Sequence, residues 1–220
     1  WNNSPNSFQD IQMAYNSKIF QDWKNRITKN FEVEKIIIHK VFMFGNRIGF
    51  IIVETKAKYN NKPVPGIVFL RGDSVSIMPV LKCNGIEYTT IVTEPRIPVG
   101  NNSQKALPAG MVDNDTVSCA ALKELSEEIG NDFNITENDL INLGKFPLSA
   151  GGSDENIFLY AFEMEITEEN LNKIDNRQNG VETEHEQILV NVIKLEDIKN
   201  IEGIDARSLL SYFLWKNRNV

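Results

Sequence analysis

The chain has 220 residues, 41% hydrophobic and 24% charged, close to the average for folded domains and enough apolar material for a sizeable core. Its formal net charge of −7 excludes a general nucleic-acid or anionic-membrane binder built on a basic patch, but not a small anionic ligand held through a metal. Cys83 and Cys119, the only two cysteines, form no CxxC pair, so they make neither a disulfide framework nor a zinc site and read as reduced or buried thiols of an intracellular protein.

Residues 1–15, rich in Asn, Ser and Gln, are expected to be loose. Over 16–27 the spacing of Ile19, Phe20, Trp23 and Ile27 predicts a helix with one apolar stripe. Residues 33–59 read as two strands joined at Gly45-Asn46, and 62–72 as a proline turn followed by a strand. A second strand pair over 74–97 turns at Asn84-Gly85. The stretch LPAGMVDNDTVSCAALKELSEEIG (107–130) is a turn and then a helix. Strands follow at 142–148 and 156–166, separated by a loop at 149–155. An acidic helix at 167–174, a polar loop at 175–186, a strand at 187–195 and an amphipathic helix at 205–217 complete the chain. Strands dominate without a βαβ period, which predicts an α/β protein with a mixed sheet and helices on its faces. No apolar run approaches the ~18 residues of a membrane span. The start at Trp1 reads as a fragment or processed form, so the expected location is the cytoplasm, or an organelle where a leader was removed.

The helix within 107–130 raises the functional question. Glu124, Glu127 and Glu128 lie at i, i+3 and i+4 and share a face, while Leu122, Leu125 and Ile129 line another. Acidic residues near a helix C-terminus oppose the macrodipole, so this placement does not serve helix stability. One reading is a solvated acidic face. The other is a set of hard oxygen ligands for Mg²⁺ or Mn²⁺, joined by backbone carbonyls from the Pro108–Gly110 turn.

These residues resemble the Nudix box, G-x5-E-x7-R-E-U-x-E-E-x-G-U, with Gly110 as its first glycine and KELSEEIG (123–130) as its second half. LPAGM, with TEPRIPVG (93–100) upstream and SAGGSD (149–154) downstream, is similar to the ADP-sugar diphosphatase branch, and VFMFGNRIGF (41–50) and KPVPGIVFLRGDSV (62–75) to its plant-type members. The resemblance covers residues 35–215. It implies a Nudix α/β/α sandwich around a mixed sheet, with a helix and β-hairpin extension over 1–60 as a dimerisation arm and the hydrolase domain over 61–220. It also implies a homodimer that acts on a small nucleotide-sugar without nucleic acid or membrane as partner. This chain departs from the pattern at Lys123, which stands for the family arginine, and at Thr116, which stands for the first box glutamate. The spacer between them is one residue short, Asn131 replaces an apolar residue, and Ala106 replaces the glutamate of ELPAG.

The implied activity is metal-dependent hydrolysis of the diphosphate of ADP-ribose or ADP-glucose to AMP and a sugar 1-phosphate. Glu124 and Glu128 would be Mg²⁺ (or Mn²⁺) ligands, Glu127 a further and catalytic ligand, and the Ala109 carbonyl part of the same shell. EHEQI in 179–190 makes Glu184 and Glu186 candidate general bases, against a solvated acidic loop that also holds Glu182. His185 reads as an exposed loop residue and His39 as structural. Arg96 is either a surface salt bridge or a phosphate or ribose contact. Ser149, Gly151, Gly152, Asp154 and Glu155 are either an ordinary glycine turn or a substrate loop whose backbone N–H groups approach the ligand. Trp23 and Trp215 read as packing. Two alternatives stand beside the hydrolase: a binding module that holds ADP-ribose without cleaving it, and a Nudix hydrolase of another nucleoside diphosphate derivative.

Overall fold

The computed structural model describes residues 6–112, 115–130, 134–179 and 187–218. They form two compact units: Trp1–Asp73 with Pro147–Asn156, and Ser74–Phe146 with Ile157–Val220.

The first unit starts with a helix where loose chain was expected. Ser7 caps α1 (Phe8–Asn16) by accepting from the Asp10 N–H, and the Asp10 carboxylate accepts from the Ser7 N–H, so two orphan donors of the first turn are satisfied. Ala14 anchors α1 in the core, and the Asn6 side chain both donates to and accepts from the backbone of Val41. Ser17 then caps α2 (Lys18–Asn30). The hairpin β1 (Glu32–Phe44) and β2 (Arg47–Tyr59) turns at Gly45-Asn46 as expected. The single strand expected over 62–72 is two, β3 (Lys62–Val64) and β4 (Ile67–Leu70), both paired with β2. Pro65, which has no N–H, and Gly66 interrupt it. Phe20, Trp23, Val41, Ile51, Val53 and Leu70 form the core of this unit.

The second unit is built around β5 (Ser74–Cys83), almost wholly buried and apolar as a central strand requires. It turns at Asn84-Gly85, both with positive φ (51° and 78°), into β6 (Ile86–Arg96). This is the two-residue hairpin geometry that Asn-Gly favours. β5 pairs with β6 only over Leu81–Cys83 and with β8 (Ala109–Met111) over Ser74–Ser76. Between these stretches, where Pro79 sits, β6 diverges to pair with β7 (Asn101–Ala106). The sequence reading did not anticipate β7 or β8. Among the described residues the sheet order is β11-β12-β6-β5-β10-β9, with β9 at Ile141–Pro147, β10 at Asn156–Glu165, β11 at Gln178–Asn179 and β12 at Ile188–Lys194. β10 runs parallel to β5, whereas β11–β12, β12–β6, β5–β6, β5–β8 and β6–β7 are antiparallel, so the sheet is mixed.

Alternation along β5 sends Val75, Ile77 and Leu81 to one face and Met78 and Val80 to the other. Helices α3 (Val117–Glu128) and α4 (Glu168–Ile174) cover the first face through Ala120, Ala121, Leu125, Leu171 and Ile174. Helix α5 (Ala206–Lys216) covers the second through Tyr212 and Trp215. This is the expected α/β/α arrangement around a mixed sheet.

Candidate functional site

The glutamate helix is fixed at both ends. At its start the Thr116 hydroxyl accepts from the Cys119 N–H at 3.2 Å, the usual duty of an N-cap threonine. The residue at the first box-glutamate position therefore serves the helix. Behind the helix, Ala120, Ala121, Leu125 and Ile129 enter the core, whereas Leu122 is only half-buried. At its far end the Gly130 N–H donates to the Leu125 carbonyl and the chain leaves the helix through Gly130 at φ 112°. The last turn holds no basic residue of its own. A guanidinium from a distant segment meets it instead: Arg177 Nη1 donates to the Ile129 carbonyl at 2.7 Å.

The LPAG segment is held just as firmly. The Leu107 N–H donates to Ser208 Oγ of α5 at 2.8 Å, and the Pro108 carbonyl accepts from the Ile77 N–H at 2.9 Å and Ser76 Oγ at 3.0 Å. Ala109 and Gly110 then pair with Ser76 and Val75 in β8. The Glu124 carboxylate rests directly on Gly110. A Cβ there would fall 1.9 Å from Glu124 Oε1, so only glycine leaves this space open.

Glu124 and Glu127 are half-exposed, and Glu128 is buried with 4% of its surface accessible. Lys123 is exposed and its Nζ lies 3.8 Å from Glu127 Oε1, a loose pair along the helix. Ala106, at the site of the family glutamate, is buried in the core on the α3 side. Carboxylate and carbonyl oxygens on a rigid helix and strand are the donor chemistry a hard divalent cation takes, and the glycine cradle leaves a carboxylate beside the Ala109–Gly110 backbone. The set is not closed, however: among the described residues no three His, Cys, Asp or Glu side chains converge as a ready-made metal site.

The other sequence candidates are distributed as follows. Arg96 ends β6 and its Nη2 lies 2.5 Å from Oε1 of Glu94, whose side chain is 10% exposed. Arg96 thus carries the ion pair of its first reading. Ser149, Gly151, Gly152, Asp154 and Glu155 belong to the first unit. There the Gly152 and Ser153 N–H groups turn back on the Ser149 carbonyl, and the Gly152 carbonyl accepts from the Phe69 N–H at 2.8 Å. Asp154 Oδ1 accepts from the N–H groups of Arg71 (2.9 Å) and Gly72 (3.2 Å), with Arg26 Nη2 3.5 Å from its other oxygen. Burial pushes the Asp154 carboxyl above the usual range, while these N–H donors and Arg26 pull it down. Glu155 pairs with Arg71 at 3.5 Å. Glu182, Glu184, His185 and Glu186 lie outside the described residues. His39 pairs with Glu54 at 2.8 Å, and Trp23 and Trp215 are buried as expected. Sequence reasoning missed Glu94 and Arg177. Glu94 stood in the quoted TEPRIP stretch, its strand position signalled by the alternation of β6, whereas nothing local pointed to Arg177.

With this geometry in place, the comparisons with known proteins are informative. No protein-family profile matches the chain. In sequence it is 28% identical, over a 232-residue alignment spanning 96% of the chain and 74% of the relative, to Nudix hydrolase 14, chloroplastic, of Arabidopsis thaliana. In structure it is similar to a crystal structure of an ADP compounds hydrolase, with a TM-score of 0.56 and 14% identity over 86% of this chain and 94% of that one. The two share a mixed α/β fold. The resemblance to Nudix hydrolases carried by residues 107–130 extends along nearly the whole chain. Among the described residues no helix is long and apolar enough to cross a membrane.

Proposed function

We propose that the chain is a metal-dependent Nudix hydrolase that splits the diphosphate of an ADP-sugar, ADP-ribose or ADP-glucose, into AMP and a sugar 1-phosphate. The observation that carries this reading is the seating of Glu124 on Gly110, with Glu127 and Glu128 on the same helix face. The sequence likeness to a Nudix hydrolase and the fold shared with an ADP compounds hydrolase support it. Glu124, Glu127, Glu128 and the Ala109 carbonyl would hold Mg²⁺ or Mn²⁺, which neutralises the diphosphate and activates water for attack. The chain's own part is to fix these oxygens. The core residues of α3 hold the helix, and the hydrogen bonds to Leu107 and Pro108 hold the facing backbone. Glu184 and Glu186 are the proposed general bases. Arg96 and the loop residues Ser149, Gly151, Gly152, Asp154 and Glu155 are the proposed substrate contacts. A homodimer with residues 1–60 as its arm belongs to the same proposal. So does a cytoplasmic location or, in line with the chloroplastic relative, an organellar one.

The test is AMP release from ADP-ribose, ADP-glucose, UDP-glucose, NADH and diadenosine polyphosphates, with and without Mg²⁺. Metal-dependent AMP from an ADP-sugar is the expected result. A second reading, an ADP-ribose-binding module without turnover, is favoured by Thr116, whose hydroxyl is engaged as a cap, and by the exposed Lys123 in place of arginine. Tight ADP-ribose binding in calorimetry without AMP release would select it.

A further inference from the structure

We propose that Arg177 is the positioning residue of the glutamate helix, a role that rests on the metal-binding reading above. Helix α3 ends with Glu124, Glu127 and Glu128 in its last two turns, at the negative end of its dipole and without a basic residue in the last turn. Repulsion among these groups and with the terminal carbonyls favours fraying where the site needs rigidity. Arg177 supplies the opposing charge at the right place, because its Nη1 donates to the carbonyl of Ile129, the residue after Glu128, at 2.7 Å. Basic side chains that bond the last carbonyls of a helix stabilise its end in this way.

Arg177 is itself fixed. Its N–H donates to the Ile174 carbonyl at the end of α4, and its carbonyl accepts from the Val190 N–H of β12 at 2.9 Å. Two residues earlier, Asp175 Oδ1 accepts from the Val192 N–H at 2.8 Å. Val190, Ile174, Ile129 and Leu125 belong to one buried cluster. The guanidinium is thus mounted on the sheet and reaches over the core to the turn that carries Glu128. Lys123 does not share this role, since it is exposed and pairs loosely with Glu127 at 3.8 Å along the helix.

The test measures Mn²⁺ binding to the full chain without substrate, by electron paramagnetic resonance, alongside thermal melting. Arg177→Met is expected to weaken Mn²⁺ binding about tenfold or more, the lower end of the roughly 10–100-fold cost of losing a group that supports metal ligands. Arg177→Lys, which keeps the charge and loses the planar fork, should fall between Met and the unaltered chain. A folded Arg177→Met variant with unchanged Mn²⁺ affinity overturns the proposal whatever its melting temperature, because a purely structural arginine would lower only the latter. If the Met variant does not fold, unchanged affinity in Arg177→Lys overturns it instead. Absence of Mn²⁺ binding by the unaltered chain overturns this proposal and the metal-dependent reading together.

Discussion

Gly110 and Glu124 compete for one volume: the carboxylate of the second occupies the place where a side chain on the first would begin. The neighbour that would have to give way is the far end of a flexible side chain, not backbone. A methyl group at 110 should therefore displace Glu124 and leave the fold standing.

The first prediction follows from that asymmetry. Gly110→Ala should melt within about 1 kcal/mol of the unaltered chain, the scale of a glycine-to-alanine change whose strain is relieved by a side chain. AMP release and Mn²⁺ affinity should fall at least about tenfold. Melting curves and single-turnover assays on one preparation check both halves.

Glu128 is a buried carboxylate on the face of α3 that bears Glu124 and Glu127. Glu128→Gln keeps its shape and hydrogen-bonding reach but removes its charge. Turnover should drop by more than the roughly 10–100-fold typical of residues that only support a metal ligand. Circular dichroism should stay unchanged. Wild-type turnover in this variant would refute the assignment.

Trp215 separates stability from the site. It is 1% exposed, packs on the sheet face away from α3, and carries the Arg218 guanidinium carbon 3.3 Å from its ring centroid. Trp215→Ala should cost about 3–5 kcal/mol. At about 2–4 °C per kcal/mol for a chain of this size, the melting midpoint should drop by roughly 6–20 °C. Mn²⁺ affinity below the transition should not change. Trp215→Phe should lose less.

Asp154 gives the N-terminal unit a pH signature. Its carboxyl is raised above the ordinary 3.8, mainly by burial, so folding takes up a proton in the window between the two values. Its contribution to stability is full below about 3.8 and is lost as pH rises through the folded value. Asp154→Asn keeps an oxygen for the Arg71 and Gly72 N–H groups and does not titrate. The Asn variant should therefore gain stability relative to the unaltered chain as pH rises across that window. Asp154→Ala removes the acceptor of both N–H groups, at about 1–3 kcal/mol for each that is left buried. Urea unfolding at a series of pH values checks the order.

Much of the fold was legible because local rules agreed with the tertiary structure. Gly45-Asn46 and Asn84-Gly85 marked two of the hairpins, and the apolar spacing of 16–27 and 205–217 marked two helices. The N-terminal helix was misread because asparagine, serine and glutamine looked like loose chain, while the reciprocal cap of Ser7 and Asp10 and the burial of Ala14 outweighed that composition. The strands β7 and β8 were missed because they are short and owe their existence to the gap between β5 and β6. At the site, the glutamate face was visible from helical spacing alone. Arg177 was not, because its partner Ile129 is distant in sequence and its use depends on how β12 lies on the sheet.

The parallel pairing of β5 with β10 orders the assembly of the second unit in time. Along the β10 edge, Ser74 is paired with Ile157 and Lys82 with Glu165, whereas the β5–β6 hairpin closes locally. A chain growing from its N-terminus therefore carries β5 as an apolar strand with one long edge uncovered until the segment through residue 165 has been made. Through this interval the glutamate helix is already present but the sheet beneath it is incomplete. Molecules caught then are the ones most exposed to aggregation, and the helix most exposed to misplacement.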